Sequence, residues 1–256
     1  LFFAGYRKRV LQLSLTTIIL AIVLVIGKQG FDKATPGLVY EAESANNYIQ
    51  VLQAGDETLL KLNEGQGVHS IYTPDVRFYN GPWEQVLVAP YFNNNLTAPQ
   101  EVMSMAIVGL AAGTTARQAL SVYPNINIEG IEIDPLIVEV GKRYFDMADP
   151  RLHVTVQDGR WALVTDPNSY QIISIDAYRP PYIPWHMTTA EFFAIVKNHL
   201  TADGVMVINV GRSPEDRTLI DALTATALSV FPSVHIVDLP QSLNSILFAT
   251  VTPTES

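Results

Sequence analysis

Ala106-Ile-Val-Gly-Leu-Ala-Ala-Gly-Thr-Thr-Ala-Arg-Gln118, followed by Gly130-Ile-Glu-Ile-Asp-Pro135, decides the fold. An apolar strand runs into a turn of small residues and a helix, and a second strand ends on Glu132, 19 positions beyond Gly113. This is the layout of a nucleoside site. Gly109 and Gly113 let the backbone approach a ligand, the helix N-terminus offers unpaired N–H groups, and a carboxylate at the next strand tip can accept both ribose hydroxyls. The turn lacks G-x-G-x-x-G, which argues for one nucleoside without a pyrophosphate and so toward adenosyl-sulfonium compounds.

Downstream, strands and helices alternate: strand 103–109, helix 114–123, strand 127–132, helix 135–145, strand 152–156, helix 159–165, strand 170–176, helix 189–199, strand 203–209, helix 214–230, and strands 233–238 and 244–251. Such alternation gives a parallel sheet covered by helices on both faces. The last two strands are joined by Leu239 to Leu243, too short for a crossover helix, so they pair antiparallel. Seven strands with a terminal hairpin describe a class I methyltransferase-like, Rossmann-type α/β fold. Upstream, residues 38–72 alternate in the strand manner around the turn Ala54-Gly55-Asp56, which predicts a small antiparallel hairpin layer. Pro82 to Phe92 reads as a short helix with proline at its first position. Asn93 to Gln100 marks a boundary, giving an N-terminal hairpin domain over 38–98 and a nucleoside-binding domain over 99–256.

At 256 residues, 48% apolar and 16% charged, the chain can bury a full core. Its net charge of −9 is uneven: residues 1–33 hold five cations against Asp32, a balance of +4, leaving −13 for the rest. An acidic body disfavours nucleic acid and favours an amine as partner. The absence of cysteine excludes disulfides, thiolate metal sites and cysteine nucleophiles. Val10 to Ile26 carries no charge over 17 residues, between Arg7-Lys8-Arg9 and Lys28. At about 1.5 Å per residue it covers about 25 Å, which predicts a transmembrane helix within residues 1–30 and a membrane location. The local positive-inside bias would place the remainder outside the cytoplasm, but helices further upstream could override it, so the side stays open.

Ligands in open parallel sheets sit beyond the carboxyl ends of the strands. Four ends carry candidates: the turn Gly109 to Gly113, Glu132, Asp158-Gly159 and Asp176. Asp158 could accept the exocyclic amine of adenine, with Gly159 letting the ring lie flat; Asp176 stands mid-row, toward the reactive group. Both Glu132 and Asp158 could instead cap the helices that follow them. The loop from Asp176 to Glu191 stiffens on three prolines, offers Tyr178, Tyr182 and Trp185 as walls of a lid, and ends in the capping box Thr188-x-x-Glu191. His186 reads as a packed or surface histidine. The other histidines, at 69, 153, 199 and 235, show no metal-ligand spacing, and no metal is expected.

From about Leu38 to the C-terminus the chain resembles the spermidine synthase family, the polyamine aminopropyltransferases. The ordered series is specific: a hairpin layer, Trp83-Glu84-Gln85 where the family has Tyr-His-Glu or Tyr-Gln-Glu, the glycine turn, Glu132-Ile-Asp-Pro, Tyr144-Phe145, Asp149-Pro-Arg151, Asp158-Gly159, Tyr170 through Asp176, and Glu191-Phe-Phe. Within the family the chain looks like a membrane-tethered branch, with helices ahead of the synthase-like domain. The resemblance implies decarboxylated S-adenosylmethionine, or S-adenosylmethionine, as co-substrate, with Gly109, Ala112, Gly113, Glu132, Ile133, Asp158 and Gly159 around it. It also implies an amine acceptor near Trp83, Glu84, Tyr178, Arg179 and Tyr182, and Asp176 as the group that orients or deprotonates the amine. A homodimer through the hairpin layer is a further implication.

The chain departs from that pattern twice. Ala112 replaces the aspartate that neutralises the donor's aminopropyl ammonium, and Arg179 replaces a second lid aspartate that contacts the amine. A guanidinium about 4 Å from a substrate ammonium would cost roughly 4 kcal/mol at an effective dielectric near 20. Three functions therefore compete: an aminopropyltransferase with an altered amine substrate, an S-adenosylmethionine-dependent methyltransferase, and a catalytically silent nucleoside-binding or structural subunit of a membrane complex.

Overall fold

A computed structural model describes residues 14–22, 35–63, 67–94, 97–177, 183–240 and 242–255. The chain divides into a unit Leu1–Pro36 and a unit Gly37–Ser256. In the first, a helix α1 covers residues 14–22. Among the described residues no helix is long and apolar enough to cross a membrane. The expected transmembrane helix and membrane location are corrected on that finding: an apolar composition does not by itself make a membrane-crossing helix. Residues 10–13 and 23–26 of that run lie outside the described residues.

The second unit opens with β1 (Leu38–Glu43), β2 (Tyr48–Ala54), β3 (Glu57–Leu62) and β4 (Val68–Tyr72), an antiparallel sheet in sequential order. Its inward side chains Ile49, Val51, Leu60 and Leu62 pack with Ile137, Val140 and Phe145. The short helix expected over Pro82 to Phe92 is a 3-10 helix, Glu84–Phe92, which begins two residues after Pro82. Pro90 lies inside it, and a proline lacks the N–H and crowds the carbonyl four residues back.

The large sheet has the order β10-β11-β9-β8-β5-β6-β7. Its strands are β5 (Ser104–Val108), β6 (Asn127–Glu132), β7 (Leu152–Val156), β8 (Tyr170–Ile175), β9 (Leu200–Gly211), β10 (Ser233–Asp238) and β11 (Asn244–Thr250). Helices α2 (Thr114–Val122), α3 (Pro135–Tyr144), α4 (Gly159–Thr165), α5 (Ala190–Asn198) and α6 (Thr218–Leu228) connect them. The final pair β10 and β11 is antiparallel, as its short connection requires, and β11 also runs antiparallel to β9. The two-residue period of the strands splits the core between the two faces. Ala106, Val108, Ile173, Ile175, Met206 and Ile208 meet Phe192, Phe193 and Val196 of α5 and Ile220 and Leu223 of α6. Met105, Ile107, Ile172, Val205 and Val207 meet Ala116, Ala119 and Leu120 of α2 and Val86 and Leu87 of the 3-10 helix.

Strand β9 is longer than expected and α6 shorter, since Asp216 and Thr218 form a turn before that helix begins. The cap of α5 is Thr189, which accepts from Phe192 N at 3.2 Å, one position beyond the box read at Thr188. Leaving β5 the chain builds β6 and β7 on one side; β8 and β9 lie on the other. The switch between β5 and β8 opens a crevice at their carboxyl ends.

Candidate functional site

Gly109 and Asp176 follow the two strands at that switch, and Asp176 N donates to Val108 O at 2.8 Å. Gly109 has φ +91, and its backbone lies against that of Asp176 and Ala177, a fit that only glycine allows. The turn then spends its own N–H groups. Gly109 N and Leu110 N donate to Ile131 O, Ala111 N to Glu132 Oε2, Ala112 N to Ser70 Oγ, and Gly113 N to Leu110 O. The strand end of β6, the small sheet and the turn itself thus take the amides of residues 109–113, ahead of the first helical residue, Thr114.

A cavity of about 620 Å³ opens above the carboxyl ends of β5 to β8. Gly109, Glu132, Ile133, Asp158, Gly159 and Asp176 all line it, so the strand-end carboxylates share one space. Glu132 is buried, with Oε2 held by Ala111 N at 2.9 Å and Oε1 by Asp134 N at 3.1 Å. Burial pushes its carboxyl above the usual range, against the backbone N–H groups that favour the anion. Asp158 Oδ1 accepts from Trp161 N at 3.0 Å, so Asp158 caps α4, while Oδ2 lies 3.3 Å from His186 Nε2. His186 thus lines the cavity, tied to Asp158.

A second cavity of about 370 Å³ also has Asp176 in its wall, together with Trp83, Pro82, Ser70, Asn209, Leu243 and Asn244. His69, Gly109, Ala111 and Asp176 line both. Among the described lining residues neither cavity has a lysine or arginine, while the larger has three carboxylates. Burial pushes Asp176 up to about 7, opposed by the Asn209 amide, whose Nδ2 donates to Oδ1 at 3.0 Å. Asn209 Oδ1 in turn accepts from Asn244 Nδ2 at 2.8 Å, and Asn244 Oδ1 from Ser242 Oγ at 3.1 Å. This amide chain holds the carboxylate toward the junction of the two cavities.

Some expected residues lie elsewhere. Glu84 lines neither cavity: Oε1 accepts from Tyr79 N and Gly81 N, and Oε2 from Gln118 Nε2. Ala112 is fully buried in the cluster of Ile49, Ile137 and Phe145, and it and Gly113 line neither cavity. Tyr178, Arg179 and Tyr182 lie outside the described residues. Sequence reasoning missed Asn46 and Asn47, which line the larger cavity from the β1–β2 loop. Asn47 Nδ2 and Ser44 Oγ both bond the buried Asp134, the cap of α3. Asn209, Asn244 and His69 were missed too. An asparagine within the apolar run Val205 to Val210 was the one available signal. No cluster of His, Cys, Asp or Glu that could hold a metal exists among the described residues.

A class I methyltransferase-like sheet, topped by a carboxylate-lined cavity and flanked by a separate four-stranded sheet, defines the class of protein. The family model for the spermine/spermidine synthase domain matches residues 23–255, and the chain belongs to that family. It is 36% identical over 246 residues to a probable polyamine aminopropyl transferase of Bifidobacterium longum, covering 94% of this chain and 53% of that protein. The chain therefore spans about half the length of this curated relative. A polyamine aminopropyltransferase of Vibrio vulnificus is 26% identical, covering 84% of this chain and 72% of its own length. The crystal structure of a probable spermidine synthase from Corynebacterium glutamicum superposes with a TM-score of 0.71 at 22% identity, covering 87% and 83% of the two chains.

Proposed function

We propose that this chain transfers an aminopropyl group from decarboxylated S-adenosylmethionine to an amine. One observation carries the reading: Asp176 lines both a nucleoside-sized cavity and a smaller one. In this reading the donor's adenosine lies in the larger cavity, with Glu132 on the ribose hydroxyls, Asp158 on the adenine amine, and Ile133 and Gly159 against the ring. The acceptor enters the smaller cavity past Trp83. Residues 99–256 form the nucleoside-binding domain and residues 38–98 cover the acceptor side.

The chemistry asks little beyond placement and one proton transfer. An amine is protonated near neutral pH and has no lone pair to attack with. Asp176, with an affinity for protons near neutrality, takes one proton from the ammonium. The freed pair forms a bond to the donor's methylene carbon while the carbon–sulfur bond breaks, and sulfur leaves as a neutral thioether. Holding the two reactants in line supplies most of the acceleration. Both substrates are cationic, and cavities with carboxylates and no described lysine or arginine in their walls attract them.

The test is mass spectrometry of methylthioadenosine and the extended amine, from decarboxylated S-adenosylmethionine with a panel of mono-, di- and triamines. Turnover with at least one amine is expected. Turnover with none overturns the proposal, and calorimetry showing tighter binding of the carboxylated donor redirects the site to methyl transfer.

A further inference from the structure

β4 is the outer strand of the small sheet, and its free side is fastened to the glycine turn. Ile71 N donates to Thr114 Oγ1 at 2.9 Å, and that hydroxyl donates back to Ile71 O at 3.0 Å. Arg117 Nη2 also donates to Ile71 O at 2.7 Å, and Ala112 N to Ser70 Oγ at 2.9 Å. These bonds set residues 70 and 71 against α2 and so fix the preceding residue, His69, at the passage between the cavities. Of the four residues lining both, only His69 and Asp176 have polar side chains. The His69 imidazole makes no hydrogen bond to another described residue. Burial lowers its proton affinity, so it stands neutral, with one ring nitrogen free to accept.

We propose that His69 is a second hydrogen-bond acceptor for the attacking amine, an inference that rests on the aminopropyl-transfer reading. Once an ammonium gives one proton to Asp176, two N–H groups remain on the nitrogen. His69 accepts one of them, which turns the lone pair toward the donor carbon. The product is a secondary ammonium, the displaced proton sits on the Asp176 carboxyl until solvent removes it, and His69 ends as it began. A neutral acceptor suits the place. A cationic imidazolium would repel both the ammonium and the sulfonium, whereas a second carboxylate at the passage would compete with Asp176 for the proton.

The test compares His69→Leu and His69→Gln with wild type, alongside the imidazole nitrogen resonances of His69 in wild type. In H69L, kcat/KM for the amine falls about 30-fold, the worth of one hydrogen bond to a charged group, mainly through kcat. Methylthioadenosine affinity stays within about threefold, and H69Q, which keeps an acceptor oxygen, recovers most of the rate. Adding the amine to the methylthioadenosine complex of wild type shifts the His69 ring nitrogens. Wild-type kcat/KM in H69L, or ring signals that do not respond to the amine, overturn the role of His69 while amine turnover still stands. The ring signals come from wild type, so they decide the matter even where H69L fails to fold. Wild type that turns over no amine overturns the underlying reading, and this inference with it.

Discussion

A Cβ placed on Gly109 would stand 2.6 Å from the carbonyl oxygen of Asp176 and 2.7 Å from Ala177 N. The ends of β5 and β8 touch there without a side chain between them, which brings the catalytic candidate next to the turn. Gly109→Ala must therefore push against backbone, at a φ of +91 that L residues rarely adopt. A loss of about 2 to 4 kcal/mol is expected in urea unfolding, together with lost turnover, since Asp176 moves with the displaced strand end. Wild-type stability in G109A would contradict the geometry.

Asp176→Asn tests the base and its electrostatics together. Turnover is expected to fall about 100- to 10,000-fold, with methylthioadenosine binding retained. Stability moves the other way. The folded carboxyl sits near 7 against 3.8 in the unfolded chain, so the native state holds its proton more tightly and wild type loses stability as pH rises from about 4 to about 7. The asparagine has no such loss. D176N should be more stable than wild type at pH 8, by about 2 kcal/mol once screening in the two open cavities is counted, and the gain should vanish near pH 4. Melting temperatures across that range check the sign.

Glu132→Gln replaces an acceptor oxygen, held by Ala111 N or Asp134 N, with an amide that cannot accept. One buried backbone N–H then loses its partner, and under the proposed function the ribose loses an anion. Methylthioadenosine affinity is expected to fall about 10- to 100-fold by calorimetry, in line with the loss of a charged hydrogen bond. An unchanged dissociation constant would remove Glu132 from the nucleoside site.

How much of this was legible in the sequence depends on where each residue's signal lies. Glu132, Asp158 and Asp176 stand directly after apolar strand runs, and the rule that ligands gather at strand carboxyl ends picks them out with no partner known. All three line the same cavity. His69, Asn47, Asn209 and Asn244 follow no such rule: they reach the site from another sheet, a hairpin loop and two strands distant in the chain, and only tertiary pairing brings them there. The Glu84 carboxylate shows the converse, a motif position whose side chain is used up by nearby backbone and Gln118. The apolar run at Val10 to Ile26 misled because apolar composition alone does not establish a membrane-crossing helix, and among the described residues there is none.

Asn209→Ala separates positioning from chemistry. Its Nδ2–H donates to Asp176 Oδ1 and so favours the ionised carboxylate, holding its proton affinity below what burial alone would set. Removing that donor raises the Asp176 value further. If Asp176 is the base, the wild-type kcat/KM profile should climb through about 7, and its midpoint should shift upward by about half to one unit in N209A, the range a neutral hydrogen bond supports. At high pH, where the carboxylate is ionised in both proteins, the rates should converge to the extent that orientation survives. A deficit that persists there measures the orienting share, and Asn244→Ala, which reaches Asp176 only through Asn209, should reproduce a fraction of it. A midpoint that stays in place or moves down would mean that Asn209 does not act on the ionised carboxylate.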